Sequence, residues 1–514
     1  MLRAIILIVT FVVVNGDKCA QRSCGDTGYV CVCNSTYCDT IEVPQKLQQD
    51  EFLWYFSTKD GKILEYSINK FSVENEAKNN CVLTLNSNKK YQQISGFGGG
   101  LTDSVALNIK SLSNDTQDKL LESYYGKTGI GYTYCRIPIA GTDFSTRAYT
   151  YDDVSDDVTL SNFSLVEEDA YKIHYLKCMK RIMRNPSDLR IMTAPWSPPT
   201  WMKDSNHIKF GCLKKEYYQT YADYIRKFYD AYKMHGIIMW GMSPHNEPTD
   251  GYMPMFPFNS MAWSPFQMAI WSVDYLAPTL SKAGYKDLVY IAVDDQRCYL
   301  PTYPDLMFKN KNAEKLFSGI AVHWYGDNFF SPLVLTETHD KYPDKFLLMT
   351  EACTGTFATN FLEPIVNLGS WYRGEQYMKN IIENLSHWVT GWIDWNIALD
   401  EKGGPTWVGN YVDSPIIVNS EKDEFYKQPM FYAISHFSKF VPRGSYVISS
   451  TEENCLSKKI HSIAFLTPEQ KVIVVIANTN NESIPLTIKD ENTNKIINMN
   501  LFPKSFNTIS YLAY

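Results

Sequence analysis

The chain has 514 residues, a formal net charge of −7, 45% hydrophobic and 20% charged residues, and 12 cysteines. That length exceeds one small domain, and the apolar fraction supports a large core rather than a disordered chain. The pI of about 5.8 argues against a nucleic-acid binder, which would carry a basic excess. Aromatic residues make up 14% of the chain, a supply that can fill a core, stack on sugars or insert into lipid.

Residues 1–16 read as a secretory signal peptide. Arg3 gives the positive start, Ala4 to Val14 is an apolar run broken only by Thr10, and Gly16 is a small residue at a cleavage point. The run is too short to span a bilayer, and no later segment has the length and apolarity of a transmembrane helix. The expected mature protein is soluble, within the secretory system or beyond it.

Five cysteines, Cys19, Cys24, Cys31, Cys33 and Cys38, crowd the start of the mature chain. A zinc cluster would need spaced Cys/His pairs. This stretch has no His and no CxxC, so disulfides are favoured, with at least one cysteine free or paired elsewhere. The other seven, Cys81, Cys135, Cys178, Cys212, Cys298, Cys353 and Cys455, are expected to fill core space as small apolar groups. Glycosylation acceptor patterns start at Asn34, Asn114, Asn162, Asn384 and Asn481.

The middle of the chain alternates short apolar runs with helix-like stretches. Strands are expected near Ile94–Gly99, Tyr132–Ile137, Leu189–Ala194, Ile238–Ser243, Val289–Val293, Gly319–His323, Phe346–Thr350 and Gly391–Trp395. Helices are expected over Val166–Arg184 and Glu216–Met234, and over Phe266–Ser281 with an end or kink at Pro278. Gly96 to Gly100 lacks the surroundings of a dinucleotide loop and reads also as a tight turn beside Asp103. Eight strands in this rhythm make the fold class α/β, a (β/α)8 TIM barrel rather than an open sheet. The runs Ile460–Leu466, Lys471–Asn478, Ile484–Lys489 and Thr508–Leu512 read as an attached β-sandwich, with Phe52–Leu85 completing it.

In such a barrel the chemistry sits at the C-terminal strand ends. Glu247 follows the fourth strand in His245-Asn246-Glu247-Pro248, and Glu351 follows the seventh. Asp143 follows the second, and Asp394 lies in the eighth. Two glutamates across a barrel mouth suit a retaining glycosidase, in which one carboxyl protonates the leaving group and the other attacks the anomeric carbon. The nine histidines show no HExxH-type pair, so neither a metal nor another cofactor is expected.

The chain resembles the lysosomal acid β-glucosidases, or glucosylceramidases, of glycoside hydrolase family 30. The resemblance covers nearly the whole mature chain. It rests on stretches such as Gly96-Phe97-Gly98-Gly99, Ala194-Pro195-Trp196-Ser197-Pro198-Pro199-Thr200-Trp201, Asp294-Asp295-Gln296-Arg297, Ala321-Val322-His323-Trp324-Tyr325 and Asp413-Ser414-Pro415-Ile416. It implies that Glu247 is the acid/base and Glu351 the nucleophile. Asn246 would bond the sugar 2-hydroxyl, and Asp143, Trp196, Trp395 and Asn410 would hold the glucose. Arg136, His323 and Tyr325 would form the polar shell, and Phe144 and Trp324 aromatic walls. On physical grounds Arg136 would keep Glu351 ionised, while a less solvated Glu247 would hold its proton. The resemblance further implies disulfides Cys19–Cys31 and Cys33–Cys38 with Cys24 free.

The limits that go with this reading are a signal peptide over 1–16, a small disulfide-pinned β domain from 17–44 with 397–428, a β-sandwich from 45–90 with 445–514, and the barrel from 91–396 with 429–444. His245 and Phe256 depart from the family and bear on pH optimum and aglycone preference. The implied activity is hydrolysis of membrane glucosylceramide in the lysosome lumen, peripheral to the membrane, with secretion as the alternative. Anionic lipid and a saposin-type activator are the implied helpers, and Phe256, Phe258, Trp263, Phe329 and Phe330 the candidate lipid contacts. Two other readings are a family-30 hydrolase of another β-glycoside (a xyloside, galactoside or β-1,6-glucan) and a silent lectin-like or trafficking protein on the same scaffold.

Overall fold

Eight parallel strands close into a barrel in chain order: β1 Gly96–Gly100, β2 Tyr134–Ile139, β3 Arg190–Pro195, β4 Gly241–Met242, β5 Val289–Gln296, β6 Phe317–His323, β7 Phe346–Glu351 and β8 Val389–Asp394. The computed structural model describes residues 17–41, 47–73, 80–355 and 363–514. The expected signal peptide lies outside them. Each run expected as a barrel strand forms one. Tyr134, Met192, Ile291, Ala321, Leu348 and Ile393, from six different strands, meet in one buried cluster, as inward-facing residues of a closed barrel must.

The glycine run is strand β1 and not a turn. A Cβ at Gly98 would lie 2.3 Å from the Tyr134 carbonyl oxygen, and one at Gly100 2.0 Å from that of Trp395. Glycine is required there by close approach of neighbouring backbone.

The helices pack outside the barrel. Tyr218–Met234 buries Tyr221, Ala222, Tyr224, Ile225, Phe228, Tyr229 and Tyr232, one face at helical spacing. The stretch from Pro265 is not stopped by Pro278. It runs as an α-helix over Pro265–Trp271, a π-helical turn over Ser272–Leu276 and a further α-helix over Ala277–Lys282. Proline lacks an N–H and crowds the carbonyl four residues back, and the wider π turn accommodates both.

Two further sheets flank the barrel. A five-stranded sheet joins Gln21–Ser23 and Tyr29–Asn34 to Glu424–Lys427, Ile416–Asn419 and Leu399–Asp400. It carries the Cys19–Cys31 and Cys33–Cys38 disulfides, with Cys24 unpaired. A nine-stranded sheet joins Glu51–Thr58, Glu65–Lys70 and Cys81–Gln93 to the C-terminal strands. One of these, Ile496–Leu501, was not visible as a run in the sequence, because it alternates apolar residues with asparagine. The Ser72 N–H donates to the Ile496 carbonyl at 2.7 Å, so the two edges of this sheet touch. Leu83, Ile448, Val474, Ile476 and Leu486 belong to its own core.

Two expectations are corrected here. Cys81 and Cys455 are not isolated core fillers but form a third disulfide, 374 residues apart in sequence. A cross-link closing so long a loop constrains the unfolded chain, and its loss costs about 2–5 kcal/mol. Replacing both cysteines by serine is expected to lower the melting temperature. An unchanged calorimetric midpoint would show that the bond contributes nothing. Asn384 is fully buried and its amide donates to Asp327 and Asn380, so it is closed to a glycan. Asn114, Asn162 and Asn481 are exposed, and Asn34 is half-buried.

Candidate active site

The C-terminal ends of the strands bring the expected residues together around Arg136. This arginine stands two positions after Tyr134 on β2, faces inward and is fully buried. Its guanidinium donates to Glu351 Oε2, to Asn246 Oδ1 at 2.6 Å and to Asp294 Oδ2 at 2.9 Å. Glu351 Oε1 accepts from the Tyr325 hydroxyl at 2.8 Å. Glu247 Oε1 accepts from Gln296 Nε2 at 2.7 Å and lies 2.9 Å from His323 Nδ1. His323 Nε2 lies 3.1 Å from Asp294 Oδ1, so this imidazole bridges two carboxylates.

The backbone holds the acids in uncommon conformations. Glu247, Val293 and Asp294 have φ values of 42°, 73° and 57°, in the left-handed region. The register of β5 against β6 shifts between Val293 and Asp295. This irregularity aims Asp294 inward, and its carbonyl accepts the Glu247 N–H at 2.9 Å.

Aromatic faces line one side. Trp196 and Trp395 stack with centroids 5.2 Å apart, and Phe144 meets Trp395 edge-on. The Arg136 guanidinium lies 5.0 Å over Trp196. Asp143 Oδ2 accepts from Asn410 Nδ2 at 2.9 Å. A flat apolar wall beside a fixed carboxylate is a surface for a pyranose: C–H groups on the rings, hydroxyls on the acid.

Burial opposes charge throughout, and local partners decide the outcome. Burial and the nearby Glu351 push Asp143 up to about 8. Burial likewise raises Asp295, to about 7, with Glu247 adding to it. For Asp294, Arg136 and His323 outweigh burial and hold the carboxyl well below the carboxylate range. Burial would lower His323, but Glu351, Asp294 and Glu247 raise it to about 10, so it is an imidazolium.

Several expectations are corrected. Burial does not leave Glu247 above its ordinary value. Burial pushes it up, but His323 donates to it and holds it below its ordinary value. Burial raises Glu351, and Arg136 acts the other way, together with His323, in the direction expected of it. His245 is fully buried and pushed down to about 3 by burial and by Lys203, so it stays neutral. Strand alternation turns Trp324 outward, between inward His323 and Tyr325, and its ring packs against Tyr377 and Trp392. Asp394 accepts from Tyr377 on helix Trp371–Ser386, and burial raises it, with Asp413 and Glu351 adding to that. Trp263 is buried against Trp271 and cannot meet lipid.

The sequence reading missed Asp294, Asp295 and Gln296 as site residues. Their signal was present, as three polar residues closing the apolar run of β5. It also missed Asp250.

Carboxylate oxygens of Glu247 and Glu351 and a ring nitrogen of His323 lie within 4.8 Å of one another. That spacing would also admit a cation, but Arg136 on Glu351 and the charge on His323 oppose one. Retaining glycosidases hold their two carboxyls about 5–5.5 Å apart, inverting ones about 6.5–9.5 Å. Two buried glutamates this close, at the ends of the fourth and seventh strands of a parallel barrel beside stacked tryptophans, define a glycoside hydrolase with retaining geometry.

The chain belongs to glycosyl hydrolase family 30. Residues 94–441 match the family's TIM-barrel domain and residues 444–509 its beta sandwich domain. The chain is 41% identical over 482 residues to the lysosomal acid glucosylceramidase of Mus musculus, covering 92% of each. Among solved structures, SrfJ from Salmonella typhimurium superposes with a TM-score of 0.82 at 26% identity, covering 90% of this chain and 99% of that one. The endo-beta1,6-glucanase BT3312 superposes with a TM-score of 0.77 at 26% identity and the same coverage.

Proposed function

We propose that the protein is a retaining β-glucosidase that hydrolyses glucosylceramide to glucose and ceramide. Glu351 attacks the anomeric carbon and the bond to the ceramide oxygen breaks. Glu247 supplies the proton that this oxygen takes up. Glu247 then removes a proton from water, whose oxygen attacks the same carbon and releases Glu351. Arg136 and Tyr325 hold the nucleophile. Asn246, its oxygen engaged by Arg136, offers its amide donors to the sugar 2-hydroxyl, and Asp143 with Asn410 binds two further hydroxyls over the Trp196–Trp395 face. The observation that carries this reading is the approach of Glu247 and Glu351 beside that face. Hydrolysis of glucosylceramide in mixed liposomes, beside a soluble aryl glucoside and an aryl xyloside, tests it. Turnover of the xyloside alone, or of a β-1,6-glucan in preference to either glucoside, would assign the site to another family-30 substrate.

The substrate lies in a membrane, and among the described residues no helix is long and apolar enough to cross one. Contact is made instead by apolar side chains on loops beyond β4 and β6. Met255 is 92% and Phe329 74% exposed, and Tyr252, Met253 and Phe330 are also exposed. Replacing Met255 and Phe329 together by serine is expected to weaken binding to anionic liposomes about tenfold. The soluble aryl glucoside should turn over as before. Unchanged sedimentation with liposomes would remove these loops from the lipid contact. In this reading a secretory signal occupies residues 1–16, glycans sit on Asn34, Asn114, Asn162 and Asn481, and the enzyme works on the lumenal side of lysosomal membranes with a saposin-type activator.

A further inference from the structure

One acid hydrogen-bonded to Glu247 is left unused by the reaction scheme. Asp250 lies three residues on, in the short turn Asp250–Tyr252. Its backbone N–H donates to the Glu247 carbonyl at 3.1 Å, folding the turn back on that residue. The two side-chain carboxyls are hydrogen-bonded to each other. Two carboxylates cannot make that bond, so one proton lies between them. Oε1 of Glu247 is already engaged by Gln296 and His323.

The groups facing Asp250 are acidic. They are Glu247 itself, Asp295 at the end of β5, Glu351 on β7 and the phenol of Tyr299. Both oxygens of Asp295 already accept, Oδ2 from the Thr249 hydroxyl and N–H and Oδ1 from the Gln296 N–H. The cations His323 and Arg136 sit on Glu247 and Glu351. Burial, Glu247 and Asp295 push Asp250 far above the carboxylate range, in the direction that keeps a proton on the pair.

We propose that Asp250 is a positioning residue for the acid step: it keeps a proton on the Glu247–Asp250 pair and returns it to Glu247 as the aglycone oxygen is protonated. The proposal rests on Glu247 being the acid/base. The balance closes within the site. The pair loses one proton to the leaving oxygen as Glu351 loses its charge in the ester, so one negative charge moves across the site without a change in total. Water returns the proton to the pair when the ester is cleaved. Without Asp250, Glu247 would have to hold a proton against the imidazolium of His323, and acid catalysis would fail at lower pH.

The test compares kcat/KM against pH for full-length wild type, Asp250→Asn and Asp250→Ala. An alkyl β-glucoside needs acid assistance, and a dinitrophenyl β-glucoside does not. Trapping Glu351 with a 2-fluoroglucoside counts competent sites in each variant. For the alkyl glucoside the alkaline limb is expected to fall by at least about one pH unit in both variants, with a loss of about tenfold near neutrality. The dinitrophenyl profile should not move. Asparagine is isosteric and donates to Glu247 without a transferable proton, so a structural role would be rescued by it and the proposed role is not. Asp250→Asn carries the test even where Asp250→Ala does not fold. An unmoved alkaline limb in Asp250→Asn overturns the proposal. A wild-type protein that neither traps the fluorosugar nor hydrolyses either glucoside overturns the reading of the site itself.

Discussion

Glu351→Gly is expected to lower kcat for an aryl β-glucoside on the order of 10⁵-fold, with the fold intact. Both oxygens of this carboxylate are engaged, Oε2 by Arg136 and Oε1 by Tyr325, so nothing else in the site can take its place. Glycine leaves a gap on the face from which the anomeric carbon is attacked. Azide placed there should restore turnover and yield the α-glucosyl azide, because a single displacement inverts the centre. Recovery of the β-azide, or a variant that keeps more than about a hundredth of wild-type activity, would sink Glu351 as nucleophile.

Glu247→Ala should show a different signature. Loss of a general acid removes about 10²–10⁴-fold for a poor leaving group such as an alkyl glucoside. For a dinitrophenyl glucoside the first displacement should proceed almost unaided, and the glucosyl-enzyme should accumulate because no base activates water. Azide should now attack that ester and give the β-glucosyl azide, the product of two inversions. The opposite anomers from the two variants separate the roles more sharply than rates do. Equal losses on both substrates would count against Glu247 as the acid.

These two expectations rest on parts of the molecule that differ in how readable they were. Glu247 and Glu351 could be placed from sequence because each closes an apolar strand, where solvation does not explain a charge. The eight barrel strands were readable for a related reason. A parallel strand buried on both faces is a short run of apolar residues with nothing to blur it, as at Ile191–Ala194 or Leu347–Met349. Where burial is one-sided the signal weakened, and the strand Ile496–Leu501 was missed.

Long-range pairings were less legible. No spacing joins Cys81 to Cys455. A tripeptide pattern says nothing of whether its asparagine is buried, as Asn384 is. An exposed-looking tryptophan in a loop, Trp263, packs beneath a helix.

The sequence by itself pointed to the two carboxylates and the barrel that carries them, because strand ends and apolar runs are local features, and its resemblance to a known family pointed to the aromatic residues beside them. Only the tertiary structure decided where the protons rest. His323 between Glu247 and Asp294, Arg136 across three acceptors and Asp250 folded back on Glu247 draw on five different strands, or the segments that follow them, and one turn. Protonation depends on the distance and burial of all of them at once, and those exist only when the barrel is closed.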